Sequence, residues 1–132
     1  MEDYVTYEQA IKLKELGFDW ECRKYFNKSN VLKEAFDSYD YNHVIDYFNV
    51  SCSAPTLSQA QKWLREVKGI DLDITLYRDI DATKDIPIIQ RYYNCEIAFG
   101  EDEEDLDEDF PTYEKALSAG IDKSLKILNN YE

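Results

Sequence analysis

Three phrases share one grammar, and together they constrain the fold more than anything else in the sequence. "VTYEQAIKLKELGF" spans Val5 to Phe18, "PTLSQAQKWLREVKGI" spans Pro55 to Ile70, and "PTYEKALSAGI" spans Pro111 to Ile121. Each opens on a threonine suited to N-cap a helix, because its hydroxyl accepts a hydrogen bond from an amide of the first turn. Gln9 and Gln59 stand three residues after Thr6 and Thr56, completing capping boxes, whereas Lys115 breaks that half of the pattern after Thr112. Val5, Pro55 and Pro111 face Ala10, Ala60 and Ala116 as staple positions. The first two helices stop at Gly17 and Gly69, residues that enter the left-handed region at low cost.

After each of these glycines the hydrophobic period changes to two. Phe18, Trp20 and Cys22 alternate with charged residues, and so do Ile70, Leu72, Ile74 and Leu76 with polar ones. Both stretches therefore predict half-buried strands. "HVIDYFNV" from His43 and "IIQRYYNCEIAF" from Ile88 predict two more, with Pro87 at a position a strand start tolerates. "NKSNVLKEAFDSYDYN" fits a loop with a helical turn or an extra strand, and "RDIDATKD" predicts a turn. The order reads α-β-β, α-β-β, α, by internal duplication or by convergence on good capping chemistry. The expected fold is α+β: one domain over residues 1–132, an antiparallel sheet of about four strands packed against three helices. Helix 2 should bury Leu57, Ala60, Leu64 and Val67 with Trp63 beside them. Helix 3 should bury Leu117, Ile121, Leu125 and Leu128, with Gly120 placed for a close approach to the sheet.

The three helix phrases together resemble a group of small uncharacterised proteins encoded by phages and prophages of gut Bacteroidetes. The resemblance rests on "YVTYEQAIKLKELGFDWECR", "CSAPTLSQAQKWLREVKGIDLDI" and "FPTYEKALSAGIDKSLKIL", about half of the chain. It implies a mobile-element origin and a cytoplasmic site of action, and brings no activity or catalytic residue with it.

Charge narrows the function. The chain carries −13, and eight of its acids lie in "EDEEDLDED", Glu101 to Asp109. Such a protein is repelled by phosphates and by anionic membranes, so direct nucleic-acid or membrane binding is not expected. The acidic opening "MEDYVTYEQ" has no apolar core of a secretion signal, and no apolar run reaches the ~18 residues that span a bilayer. Cysteines 22, 52 and 95 form no CxxC pair, and His43 is the only histidine, so reduced thiols are expected rather than zinc. No cofactor is expected, since four glycines cannot write a phosphate loop or a dinucleotide fingerprint.

Other candidate chemistry is thin. "DIDAT" from Asp79 matches an Asp-x-Asp-x-Thr phosphatase loop, but too few residues follow it for repeated βα units. The acidic run lacks the glycine and ligand spacing of a calcium loop. A Cys52–His43 nucleophile pair has no surrounding signature. The expectation is therefore a non-enzymatic protein that binds a basic host or phage protein. A sharper form is nucleic-acid mimicry by the run and by Asp71, Asp73, Asp79, Asp81 and Asp85; the alternatives are an assembly subunit or a small hydrolase. The expected contact residues are Glu101, Asp102, Glu103, Glu104, Asp105, Asp107, Glu108 and Asp109, with Tyr39, Tyr41 and Tyr92 drawn from an aromatic set at 36, 39, 41, 47, 48, 92 and 93. For the fold, the run reads as a solvated linker between the last strand and helix 3.

Overall fold

A computed structural model describes residues 3–43, 49–81, 83, 85 and 88–131. The chain is α+β, and the described residues form three helices and six strands in two three-stranded antiparallel sheets. In chain order these are α1 (Tyr7–Glu15), β1 (Cys22–Asn27), β2 (Leu32–Tyr39), β3 (Val50–Ser53), α2 (Leu57–Lys68), β4 (Ile70–Asp81), β5 (Ile88–Phe99), β6 (Asp102–Asp105) and α3 (Tyr113–Tyr131). The first sheet has the order β2-β1-β3 and the second β4-β5-β6. Helix α3 touches β4, β5, α1 and α2; α1 also touches β3, and α2 touches β4.

The threonine caps form as their sequence implies. At α1 the box is complete: the Gln9 amide donates to Thr6 Oγ1 at 3.1 Å and the Thr6 amide donates to Gln9 Oε1 at 2.9 Å. At α2 only the first half exists. The Gln59 amide donates to Thr56 Oγ1, but the Gln59 side chain turns away and donates to the Glu21 carbonyl at 2.7 Å. Lys115 donates its amide to Thr112 Oγ1, so α3 is capped without a box. Gly69 ends α2 in the left-handed region, as its position after "REVK" requires.

The core joins the helices to both sheets. Trp63, Phe18, Leu13, Leu64, Ile70, Ile97, Leu117, Ile121 and Leu125 are fully buried, and Phe18 meets Trp63 edge-on at 5.4 Å. Gln9, itself buried, links α1 to α3 by reaching the Ser118 carbonyl at 3.0 Å and Asp122 Oδ1 at 2.9 Å. Gly120 lets α3 approach the second sheet, since a Cβ there would lie 2.6 Å from Cys95 Sγ.

Several expectations need correction. Among the described residues the strands number six where about four were expected: β2 is the extra strand that "NKSNVLKEAFDSYDYN" left open beside a loop, β6 lies in the acidic run, and neither carries a buried alternating face. Phe18 and Cys22 alternate in burial with Asp19 and Glu21 as expected, yet the ladder begins only at Cys22. Val67 lies on the α2 stripe but in its last turn, beyond its cover, and is 52% exposed. Of the strand expected from His43, residues 44–48 lie outside the described residues, and pairing is seen at Val50–Ser53. The two halves are each α-β-β-β, and they are not superposable. The strand after the helix is central in the first sheet and an edge in the second, which favours convergent capping over duplication.

Candidate protein-binding surface

The alternation of "GIDLDITLYRDID" decides which face of the second sheet is charged. Ile70, Leu72 and Ile74 turn toward the helices, so Asp71 and Asp73 turn outward. On β5, Cys95 and Ile97 are buried, which turns Glu96 and Ala98 outward. Register then aligns the strands into two rows: Asp71, Ala98 and Glu103 in one, Asp73, Glu96 and Asp105 in the other. These residues line a shallow groove of about 350 Å³. Same-face neighbours along a strand stand about 7 Å apart and adjacent strands about 5 Å apart. Five carboxylates thus share a patch on the order of 7 by 10 Å. Like charges directly opposite in a sheet oppose folding, so packing alone gives no reason for the arrangement.

The acidic run is more ordered than a linker. Asp102–Asp105 form β6 along β5, and the Leu106 amide donates to the Cys95 carbonyl at 3.0 Å. Asn94 Nδ2 and the Asp107 amide donate to Asp105 Oδ1 at 2.7 and 2.6 Å, which holds the Asp105 carboxyl below its ordinary range. Asp107 turns the chain from the left-handed region, φ 51°. Phe110 then exchanges two 2.8 Å backbone bonds with Tyr93. The run is therefore not a solvated linker: its first half is strand β6, and Phe110 just after it is paired with Tyr93. Glu104 faces the other way and meets Lys123 at 3.2 Å. Glu101, Asp102, Asp107, Glu108 and Asp109 are exposed, with Glu101 and Asp102 beside Ile127 and Leu128 of α3 rather than in the groove.

The face continues past the groove through the Thr75–Asn94 pair to Tyr77 and Tyr92, which stack at 5.4 Å and 12°. The Tyr92 hydroxyl is pushed up by desolvation and then by the carboxylates of Asp79 and Asp109. Tyr92 therefore joins the acidic surface, as do Asp71, Asp73 and Asp79. Asp81 occupies the last register position of β4, and Asp85 is exposed beyond it.

Tyr39 and Tyr41 do not join this face. They belong to a cleft of about 340 Å³ on the first sheet, with Tyr25, Phe36, Glu34 and Asp37 around it. Tyr41 forms its floor, only 4% exposed, its ring tilted against Tyr25 at 5.0 Å and its hydroxyl donating to the Asp37 carbonyl. Tyr39 is half-exposed at the rim, and Phe36 is fully exposed. Tyr47 and Phe48 lie outside the described residues. Glu96 was legible in the alternation of "NCEIAF", yet only register reveals that it stands between Asp73 and Asp105.

The thiols sit in surroundings that favour their neutral form. Burial pushes Cys22 and Cys95 up to about 12 and Cys52 to about 11. The groups acting on Cys52 are Ser51 and Lys14, while His43 Nδ1 lies 2.6 Å from Asp40 Oδ2, so the Cys52–His43 pair is not assembled. Among the described residues no three metal-ligating side chains converge, and no helix is long and apolar enough to cross a membrane. Comparisons with protein-family models, curated proteins and solved structures find no match to this chain.

Proposed function

We propose that the protein acts by stoichiometric binding, presenting the outer face of the β4-β5-β6 sheet to a basic surface on a partner protein. One observation carries this reading: five carboxylates from three adjacent strands stand on a rigid sheet face rather than on a loose tail. A nucleic-acid mimic needs that rigidity, because its charges must be in place before the partner's lysines and arginines arrive. The target would then be a nucleic-acid-binding protein, and the acidic face would occupy its groove. For a protein of phage or prophage origin, that target would be a host nucleic-acid-binding or defence protein. Binding of this kind needs no cofactor, no metal and no bond-making step.

The test is capture from host lysate with wild-type protein and with a neutralised sheet face, Asp71→Asn, Asp73→Asn, Glu96→Gln and Glu103→Gln, which spares the bonded Asp105. Wild type should retain a basic nucleic-acid-binding protein that salt or duplex DNA releases, and the neutralised form should not. Equal retention of the same protein by both forms would rule out this face as the binding element.

A further inference from the structure

The β4–β5 ribbon outruns the body that covers it. On its helix-facing side the register pairs are Leu76 with Tyr93, Arg78 with Arg91, and Ile80 with Ile89. Leu76 is 40%, Ile80 64% and Ile89 55% exposed, and both arginines are exposed. An apolar pair thus lies on each side of two guanidinium groups placed directly opposite one another. Like charges in that position disfavour the ribbon, and the exposed isoleucines leave apolar surface in water. Such a face fits an apolar recess with carboxylates at its edge.

The chain carries that recess elsewhere. The first-sheet cleft is built on Tyr25, Tyr39 and Tyr41, with Glu34, Phe36 and Asp37 among its lining and the Phe36 ring fully exposed. Arginine pairs with carboxylates through two parallel hydrogen bonds and stacks on tyrosine and phenylalanine faces. In a chain of −13, copies repel one another over most orientations, so attraction is concentrated where this cationic face meets an acidic, aromatic one. Ribbon and cleft belong to different sheets, and where two copies make the contact once rather than reciprocally it is heterologous and propagates into a ring or a filament.

We propose that the chain self-associates head to tail. The helix-facing side of the β4–β5 ribbon of one copy seats in the Tyr25–Tyr39–Tyr41 cleft of the next, with Arg78 and Arg91 meeting Glu34 and Asp37. This contact leaves the acidic outer face of the sheet open.

Charge reversal tests it. In sedimentation velocity the wild type should rise above monomer mass with concentration. The ribbon variant Arg78→Glu/Arg91→Glu and the cleft variant Glu34→Lys/Asp37→Lys should each stay monomeric, with native far-ultraviolet circular dichroism. An equimolar mixture should associate again, because each reversed ribbon or cleft then meets a complementary partner. Ile80→Ser/Ile89→Ser should weaken association without altering net charge. A wild type that stays monomeric throughout, a closed dimer indifferent to Glu34 and Asp37, or a mixture that stays monomeric would each overturn the proposal.

Discussion

At the scale of single residues, the contact of Gly120 with the sheet makes an unusual demand. A helix-interior Gly→Ala change normally gains up to about 1 kcal/mol. Here the added methyl would stand 2.6 Å from Cys95 Sγ and 3.4 Å from Leu72 Cδ2, in a buried layer. Overpacking of this kind costs about 1–3 kcal/mol, so Gly120→Ala should lower the urea midpoint. Adding Cys95→Ala should recover part of the loss, and a midpoint raised by Gly120→Ala alone would contradict the packing. The three thiols make a second demand. Their folded values lie above the ordinary 9.0, so unfolded thiols ionise first as the solution becomes alkaline. The stability they contribute is complete below pH 9 and is lost as pH rises toward 11–12. Urea midpoints should fall across that window, and fall less in Cys52→Ala; an equal slope in that variant would remove Cys52 as a cause.

At the scale of elements, the same opening phrase has unequal consequences. Thr56→Ala removes one cap bond of α2 and should cost about 1 kcal/mol. Gln9→Ala removes the reciprocal half of the α1 cap together with the buried link to Ser118 and Asp122. With those partners left unsatisfied it should cost about 2 kcal/mol or more, and the two midpoints compared in one buffer check the order. Strand β6 behaves differently again, because its acids have distinct partners. Glu103→Gln relieves like charge on the outer face and should raise the midpoint. Asp105→Ala gives up the Asn94 and Asp107 bonds and should lower it. Replacing the whole run with serine and glycine would therefore mix gains with losses, and variants that keep side-chain shape separate them.

At the scale of the whole molecule, a charge of −13 works against compactness and against polyanions alike. Added salt should raise thermal stability by screening, and should weaken capture of a basic partner. Gel-shift assays at about 0.15 M salt should show no saturable binding of DNA or RNA. Sequence-dependent binding there would place the cationic ribbon, rather than the acidic face, at the centre of function. The helices were legible because capping and the 3.6-residue stripe are local signals: Thr6, Thr56 and Thr112 each sit where their hydroxyl is used. Strands β4 and β5 were legible because one face is buried and the other is not. Strand β2 was legible only as one of two alternatives and β6 not at all, since neither has a buried face alternating with an exposed one.

What the sequence determined by itself is the α+β composition, the three helix starts, the stops of the first two helices, the inward face of β4, and the excess of acid. Each depends on residues within a few positions of one another. Only the tertiary structure decided that the strands divide into two sheets, and that Asp73, Glu96 and Asp105 share a row. Only it decided that Tyr41 lies under a cleft while Tyr92 stands in an acidic field, and that Arg78 and Arg91 oppose each other on an exposed ribbon. The reason is register. Backbone pairing between distant segments sets which side chains become neighbours, and its hydrogen bonds are nearly the same whatever the side chains are.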